Sequence, residues 1–166
     1  EFNQAISQLL TDKYVYVDFE TTGVSSDSEI IEVAVVGHDG AVFLNTLVKP
    51  SEQISDEVSK INGITNSMLE NAPSWASVYD DFIAAVGDRA IVAYNAPFEK
   101  RIFRQTCNKY DLVVKCFKYE CAMQAFSIWH GEKDQRRDDY KWHKLTNAAR
   151  MCGVKIKGDA HRAVTD

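Results

Sequence analysis

The sequence has no long apolar run, no Cys-x-x-Cys pair and no excess of positive charge. A chain without roughly 20 consecutive apolar residues is not expected to span a membrane. The four cysteines, Cys107, Cys116, Cys121 and Cys152, lie in apolar stretches, so buried, reduced thiols are expected in preference to a cysteine zinc site. The net charge of −5 argues against a protein that coats duplex nucleic acid.

The remaining composition is that of a folded globular protein. With 166 residues the chain is long enough to bury a core without disulfides or structural metal, and we expect residues 1–166 to form a single domain. No signal peptide, internal repeat or low-complexity tract is visible. Reduced cysteines and the missing signal peptide predict a cytoplasmic protein.

Charge is distributed unevenly along the chain. Residues 133–157 contain eight Lys or Arg and three Asp, so the rest of the chain carries a net charge of −10. This basic segment is either a solvated helix face or, beside an anionic substrate, an electrostatic clamp. Residues 131–140 form the longest irregular stretch and predict an exposed, mobile loop.

Hydrophobic periodicity predicts a sheet with helices on its faces. The predicted strands are 14–17, 30–36, 41–48, 90–94 and 113–119. The predicted helices are 54–61, 75–86, 98–106, 122–129 and 145–151, preceded by a short one at 3–12. Three sequential strands with short links must be antiparallel neighbours, and the strand–helix units after them imply a mixed five-stranded α/β sheet.

The most informative stretch is residues 14–23, an apolar strand followed by Asp-Phe-Glu-Thr-Thr-Gly. Because side chains alternate along a strand, Asp18 and Glu20 share one face, where two carboxylates repel unless a cation lies between them. The pattern therefore predicts a metal site. The alternative is that the strand stops at Val17 and that both acids lie in a solvated turn before Gly23.

Two other places hold acids that a metal could use. Glu99 begins the helix after the fourth predicted strand, where an acid can also simply complement the helix dipole. On a helix, positions 161 and 166 diverge by about 140°, so His161 and Asp166 cannot share one ligand cage. They can flank one, with Asp166 on the metal and His161 reaching a water beside it. Otherwise His161 is a surface histidine.

Three segments occur in a fixed order along the chain: DFETTG at 18–23, YNAPFE at 94–99 and HRAVTD at 161–166. NGIT at 62–65, followed by Ala-Pro at 72–73, lies between the first two. Together they resemble the motifs of the DEDDh 3′–5′ exonucleases, the group that contains the proofreading subunit of bacterial replicative polymerases and ribonuclease T. The resemblance spans the whole chain.

The resemblance implies a ribonuclease-H-like fold, which agrees with the strand order predicted above. It also implies that Asp18, Glu20 and Asp166 are metal ligands and that His161 is the general base. Glu99 corresponds to the remaining acidic ligand. Oxygen ligands suit two hard divalent cations, Mg²⁺ or Mn²⁺, which stabilise the attacking and leaving oxygens in phosphodiester hydrolysis, while a neutral histidine takes the proton of the water.

The chain departs from the family pattern at three points. Glu99 stands where the family usually has Asp, and its side chain is one methylene longer. Tyr94 stands where the middle motif normally begins with His. The family's last helix normally continues beyond the position of Asp166, so we expect the natural chain to be longer.

Substrate binding is assigned to residues beside these motifs. Thr21 and Thr22 can present N–H and hydroxyl groups to the terminal nucleotide, and Asn95 belongs to the middle motif. The basic segment offers phosphate contacts from Arg136, Arg137, Lys141, Lys144 and Arg150. Trp142 or Trp129 could stack on an unpaired base. Trp129 ends an apolar helix and is predicted to be core, whereas both interpretations stay open for Trp142.

The predicted function is a metal-dependent 3′–5′ exonuclease that releases nucleoside 5′-monophosphates from single-stranded or frayed DNA, in degradation, repair or proofreading. RNA is the alternative substrate. Because Glu99 stands where the family usually has Asp, a different class of function stays open, that of a catalytically altered nucleic-acid-binding module. A polymerase or another replication protein is the expected partner, and a membrane is not.

Overall fold

The computed structural model describes residues 11–136, 138–155 and 162–165. The strands are β1 (Tyr14–Thr21), β2 (Ile30–Gly37), β3 (Val42–Leu47), β4 (Ala90–Ala93) and β5 (Tyr119–Cys121). They form one sheet in the order β3-β2-β1-β4-β5. The pairs β1–β2 and β2–β3 are antiparallel, whereas β1–β4 and β4–β5 are parallel. The predicted mixed five-stranded sheet is therefore confirmed.

The helices connect and cover this sheet. They are α1 (Asp56–Asn62), α2 (Asn66–Leu69), α3 (Trp75–Val86), α4 (Ala96–Lys109), α5 (Ala122–His130) and α6 (Leu145–Met151). The first three link β3 to β4, and α4 links β4 to β5. The short α2 was not predicted; the Thr65 hydroxyl caps it by accepting the N–H of Met68 at 3.3 Å.

The main core lies against one face of β1. Val15, Val17 and Phe19 are buried, and the Phe19 ring packs edge-on against Trp75 with centroids 6.1 Å apart. The alternate residues of the strand point to the opposite face. Because β1 continues to Thr21, the alternative in which the strand stops at Val17 is wrong, and the acids at positions 18 and 20 share the face opposite the aromatic core.

A second, smaller core covers the sheet at β2. Ile31 packs with Ile54, Ile64 and Leu69, which come from the α1–α2 region. Residues of β2 on both faces are therefore buried, and this explains why its sequence is almost continuously branched and apolar.

The predicted strand at 113–119 is wrong for most of its length. Only Tyr119–Cys121 pairs with β4, opposite its last three residues. Val113 is 77% exposed and Val114 is 38% exposed, so these β-branched side chains face solvent instead of a neighbouring strand. The pairing is limited because β4 itself has only four residues.

The described residues of the segment 131–140 form regular backbone contacts, which an irregular loop would not require. Lys133 and Tyr140 form an antiparallel bridge, and the N–H of Asp134 donates to the carbonyl of Asp139 at 3.0 Å. Arg137 and the predicted helix at 3–12, except its last two residues, lie outside the described residues.

The cysteines are only partly buried. Cys107 is buried as expected and Cys121 is half-buried, but Cys116 and Cys152 are exposed, contrary to the prediction. Cys116 lies between the exposed Val114 and the buried Phe117, and of these three only Phe117 enters the main core. None of the four forms a disulfide.

Candidate functional site

Parallel pairing of β1 and β4 brings their carboxyl ends to the same edge of the sheet. After β4 the chain turns through Tyr94 and Asn95, and α4 begins at Ala96. The Asn95 carbonyl accepts the N–H groups of Phe98 at 2.9 Å and Glu99 at 3.1 Å, which fixes the first turn of the helix. Glu99 is thereby directed towards the end of β1.

Glu99 is buried beside two other carboxylates. The residue is only 5% exposed, and its Oε2 atom has no hydrogen-bond partner among the described residues. Burial, and then the charges of Asp18 and Glu20, raise the pKa of Glu99 well above its ordinary value, while the backbone N–H of Phe19 opposes this shift. An acid that only complements a helix dipole would need neither burial nor acidic neighbours, so the dipole interpretation does not explain this arrangement.

The three acids at this edge offer the oxygen ligands that divalent cations use in proteins. A buried carboxylate oxygen without a donor is costly, and charges of one sign around it increase that cost. A hard cation such as Mg²⁺ or Mn²⁺ accepts oxygen ligands and removes both costs. The structure therefore brings Asp18, Glu20 and Glu99 together, as the sequence predicted.

The carboxyl-terminal segment is attached to the same region by Glu32. This β2 residue lies opposite Glu20 in the antiparallel register and is 1% exposed. Its carboxylate accepts the Arg162 Nη2 group at 2.6 Å, the Nε group at 3.1 Å and the backbone N–H of Ala163 at 2.9 Å. His161 and Asp166 lie outside the described residues, but between them Arg162 and Ala163 bond to Glu32 of β2, and residues 163–165 line a cavity together with Asp18 of β1.

Glu32 was missed by sequence reasoning. The available signal was a single charged residue inside a strand of Ile and Val, which must find a partner if it is buried. The partner, Arg162, lies 130 positions away in the chain, and no local pattern connects the two.

Tyr94, where the family usually has His, makes a structural contact. Its hydroxyl donates to the His143 carbonyl at 2.8 Å and so ties the segment before α6 to the end of β4. Burial, with the charges of Cys121 and Cys152 adding to it, raises the pKa of Tyr94 to about 12. A cavity of about 250 Å³ lies here, lined by Tyr94, Asp18, Leu145 and other residues.

The two threonines at the carboxyl end of β1, Thr21 and Thr22, are engaged within the protein. The Thr21 hydroxyl donates to the Gly23 carbonyl at 2.7 Å. The Thr22 N–H donates to the Glu29 carbonyl at 2.9 Å, and its hydroxyl accepts the N–H of Glu29 at 3.0 Å. The Thr22 N–H is therefore used to close the β1–β2 connection, contrary to its predicted exposure to the nucleotide.

The basic segment presents exposed side chains. Arg136 is exposed and Trp142 is 46% exposed. Trp129 is 45% exposed although it contacts Phe126 with ring centroids 5.7 Å apart, so its predicted core position is wrong. Its neighbours in α5, Ile128 and His130, are exposed as well. Lys141 pairs with Glu132 at 2.6 Å, which offsets one of the positive charges.

The exonuclease (RNase T) family model matches residues 15–166, which include the carboxylate cluster and the carboxyl-terminal segment. The chain belongs to this exonuclease family. The predicted DEDDh 3′–5′ exonuclease and the predicted ribonuclease-H-like fold are confirmed. Among the described residues, none of the helices has the length and apolar character needed to cross a membrane.

Known relatives differ in how much of their length this exonuclease covers. It is 37% identical over 170 residues to an uncharacterized exonuclease of Escherichia phage 186, and this alignment covers 99% of this chain and 87% of that protein. It is 43% identical over 95 residues to the PolC-type DNA polymerase III of Thermotoga maritima, and this alignment covers 55% of this chain but only 7% of that protein.

A solved structure supports the fold. The nuclease domain of 3′hExo, a DEDDh family member bound to rAMP, is similar with a TM-score of 0.72 at 18% sequence identity. The match covers 92% of this chain and 84% of that chain.

Proposed function

We propose that this 3′–5′ exonuclease releases nucleoside 5′-monophosphates from the 3′ end of single-stranded or frayed DNA. We further propose that Asp18, Glu20, Glu99 and Asp166 hold two divalent cations, Mg²⁺ or Mn²⁺. The observation that carries the proposal is the buried Glu99 carboxylate, whose Oε2 has no partner among the described residues and whose neighbours are two further acids.

Bound divalent cations supply stabilisation of the attacking and leaving oxygens of a phosphodiester. The carboxylates would fix where such ions sit; Glu99 is buried, and Asp18 and Glu20 are half-buried. His161 is proposed to accept the proton of the attacking water. The anchoring of its neighbours, Arg162 and Ala163, by Glu32 supports a role at this edge for both His161 and Asp166.

One relative's name supports DNA as the substrate and a replication protein as the partner, and two exposed side chains support binding of a single strand. The relative with the 95-residue match is named as a DNA polymerase. The exposed Arg136 and Trp142 offer a phosphate contact and a stacking surface, which are the usual elements of a single-strand groove. Arg137, Thr21 and Asn95 remain proposed substrate contacts. We treat residues 1–166 as one exonuclease domain.

Hydrolysis of end-labelled oligonucleotides tests the proposal. Single-stranded DNA and RNA of the same sequence are incubated with Mg²⁺, with Mn²⁺ or with chelator. We expect stepwise shortening of 5′-labelled DNA, mononucleotide from 3′-labelled DNA and no reaction in chelator. If RNA is hydrolysed faster than DNA, RNA is the substrate. Binding of either strand without hydrolysis would favour the catalytically altered nucleic-acid-binding module.

A matched pair of variants locates the reaction. Asp18→Asn should lower turnover by orders of magnitude, because it removes a charge from the proposed cation site. Asp81→Asn, on an exposed position of α3, makes the same chemical change away from the site and should leave turnover intact. Equal turnover of Asp18→Asn and the parent would overturn the assignment.

A further inference from the structure

Three metal-binding side chains meet outside the carboxylate cluster. His130 is the last residue of α5, Glu132 follows it in the next segment, and His143 lies just before α6. The Glu132 Oε2 atom lies 3.3 Å from Nε2 of His143 and 3.7 Å from Nε2 of His130. The three ligand atoms lie within 4.8 Å of one another.

The buried member of this group lacks a hydrogen-bond partner. The His143 side chain is 5% exposed, and its Nε2 atom has no hydrogen bond among the described residues even though Glu132 is close. A buried ring nitrogen without a partner is unfavourable in a simple hydrogen-bonded cluster. The same nitrogen is directed at the carboxylate and at His130, where a cation would satisfy it.

The surrounding residues orient the group. The Phe126 ring stacks on His130 with centroids 5.5 Å apart and meets His143 edge-on at 5.6 Å. Lys141 donates to the other oxygen of Glu132, Oε1, at 2.6 Å, which leaves Oε2 facing the imidazoles. Outer contacts of this kind hold metal ligands in place.

We propose that His130, Glu132 and His143 bind one Zn²⁺ ion, with water as the fourth ligand. Two ligands about 2.0–2.2 Å from a tetrahedral ion lie about 3.3–3.6 Å apart, close to the 3.3 Å and 3.7 Å that separate Glu132 from the two histidines. Two imidazoles and one carboxylate suit Zn²⁺, whereas an all-carboxylate cluster suits Mg²⁺ or Mn²⁺. The proposed centre is therefore chemically distinct from the exonuclease site.

Such a centre would join the end of α5 to the segment before α6. The carbonyl of His143 is already held by the Tyr94 hydroxyl at the end of β4. Zinc would therefore fix residues 131–143, which contain Arg136 and Trp142, relative to the sheet edge. A structural role for the ion follows, because it would position proposed substrate contacts and would lie outside the carboxylate site.

Metal titration of the full chain tests the proposal. Metal-free protein is kept in excess Mg²⁺ to fill carboxylate sites and is titrated with Zn²⁺, and separately with Co²⁺ as a spectroscopic probe. We expect one tight Zn²⁺ per chain, an increase in melting temperature, and the intense visible absorption of tetrahedral Co²⁺. His130→Gln should weaken Zn²⁺ binding at least about a hundredfold.

Two controls separate this site from other histidines and from the carboxylates. His38→Gln, at an exposed histidine in the β2–β3 turn, should bind Zn²⁺ like the parent. Asp18→Asn should also keep the Zn²⁺ and Co²⁺ signals. Glu132→Gln, at a partly exposed position, provides a second test if His130→Gln does not fold. Unchanged Zn²⁺ affinity in either folded ligand variant, or loss of the Co²⁺ absorption in Asp18→Asn, would overturn the proposal.

Discussion

Three glutamates, Glu29, Glu32 and Glu99, are buried in the described part of this protein, and they differ in what surrounds the carboxylate: donors for the first two and acids for the third. Glu29, Glu32 and Glu99 are 3%, 1% and 5% exposed, so burial does not distinguish them. Glu29 accepts hydrogen bonds from Lys109 at 2.8 Å and Tyr110 at 2.8 Å, among others. Glu99 faces acids instead, and its Oε2 atom has no donor among the described residues.

The difference separates a structural carboxylate from a functional one. Glu29 and Glu32 join distant parts of the chain, and their donors offset the cost of burial. Glu99 has only the backbone N–H of Phe19 to offset its burial, and its Oε2 atom has no donor among the described residues, so its burial lowers stability in the absence of a cation. A carboxylate that weakens the fold is retained when another property of the protein requires it, here the proposed binding of metal.

The largest effect is expected for Glu99→Gln. The substitution keeps the size of the side chain and removes a proposed ligand charge, so turnover should fall at least about a hundredfold, a barrier increase of about 2.7 kcal/mol. In chelator the same variant should melt at a higher temperature than the parent, because repulsion from Asp18 and Glu20 is relieved. Steady-state hydrolysis and thermal unfolding measure the two results.

Glu99→Asp is the control for this variant, since it keeps the charge and restores the family's usual residue. It should retain measurable turnover. Should Glu99→Gln hydrolyse DNA as fast as the parent, Glu99 would not be a ligand, and the altered-module interpretation would gain support.

Glu32→Gln should have the opposite effect on stability. Arg162 would lose its carboxylate partner, and the unfolding free energy should decrease by about 2–3 kcal/mol, as for hydrogen bonds to charged groups. Turnover should also decrease, because residues 162–165 lose their attachment beside β1. Chemical denaturation and hydrolysis assays measure these changes.

A double-mutant cycle with Arg162→Gln shows whether the two side chains act as a pair. If they do, the double variant should lose less stability than the sum of the single variants. Additive losses would mean that Glu32 acts mainly through the Ala163 N–H.

Much of the site was predictable because it depends on local patterns. Strand alternation placed Asp18 and Glu20 on one face, and a helix start after β4 placed Glu99 near them. The helix at Leu145–Met151 was predicted with its observed bounds, because its apolar spacing and the following Gly153 are local signals.

Features that depend on distant contacts were not predictable. Glu29 and Glu32 look like ordinary acids until Lys109 and Arg162 are brought to them by the fold. The residues at 113–118 have the composition of a strand but no strand beside them. The histidines at 130 and 143 are brought together by backbone contacts between the arms of this segment, such as the bridge between Lys133 and Tyr140 and the hydrogen bond from the Lys141 N–H to the Glu132 carbonyl.

The pH dependence of stability should have opposite signs for Glu29 and Glu99. Burial would raise the pKa of Glu29, but hydrogen bonds from Lys109, Ser51 and Tyr110 outweigh it and hold this pKa below its ordinary value of 4.5. Its contribution is therefore complete above pH 4.5 and is lost as pH falls through the lower folded pKa. Glu29→Gln should cost about 1–2 kcal/mol at neutral pH and progressively less in acid.

For Glu99 the pKa is raised, so the folded state without metal binds a proton that the unfolded state has already released. Stability should therefore fall as pH rises above 4.5, and the advantage of Glu99→Gln in chelator should be absent in acid and present at neutral pH. Unfolding in chelator across this pH range checks both variants. Parallel profiles for Glu29→Gln and Glu99→Gln would contradict the distinction between the two carboxylates.

The smallest changes in stability are expected when two tyrosine hydroxyls are removed. They are uncharged, and again one has a hydrogen-bond partner and the other has none among the described residues. The Tyr94 hydroxyl donates to the His143 carbonyl, whereas the Tyr119 hydroxyl is buried without a partner among the described residues. Tyr94→Phe should lower the unfolding free energy by about 0.5–1.5 kcal/mol, because a hydrogen bond is lost and a carbonyl is left without its donor. Tyr119→Phe removes an unsatisfied group and should be neutral or stabilising, as measured by denaturant unfolding in chelator. An equal loss in both variants would show that Tyr119 has a donor or acceptor outside the described residues, and that its hydroxyl belongs with the paired groups.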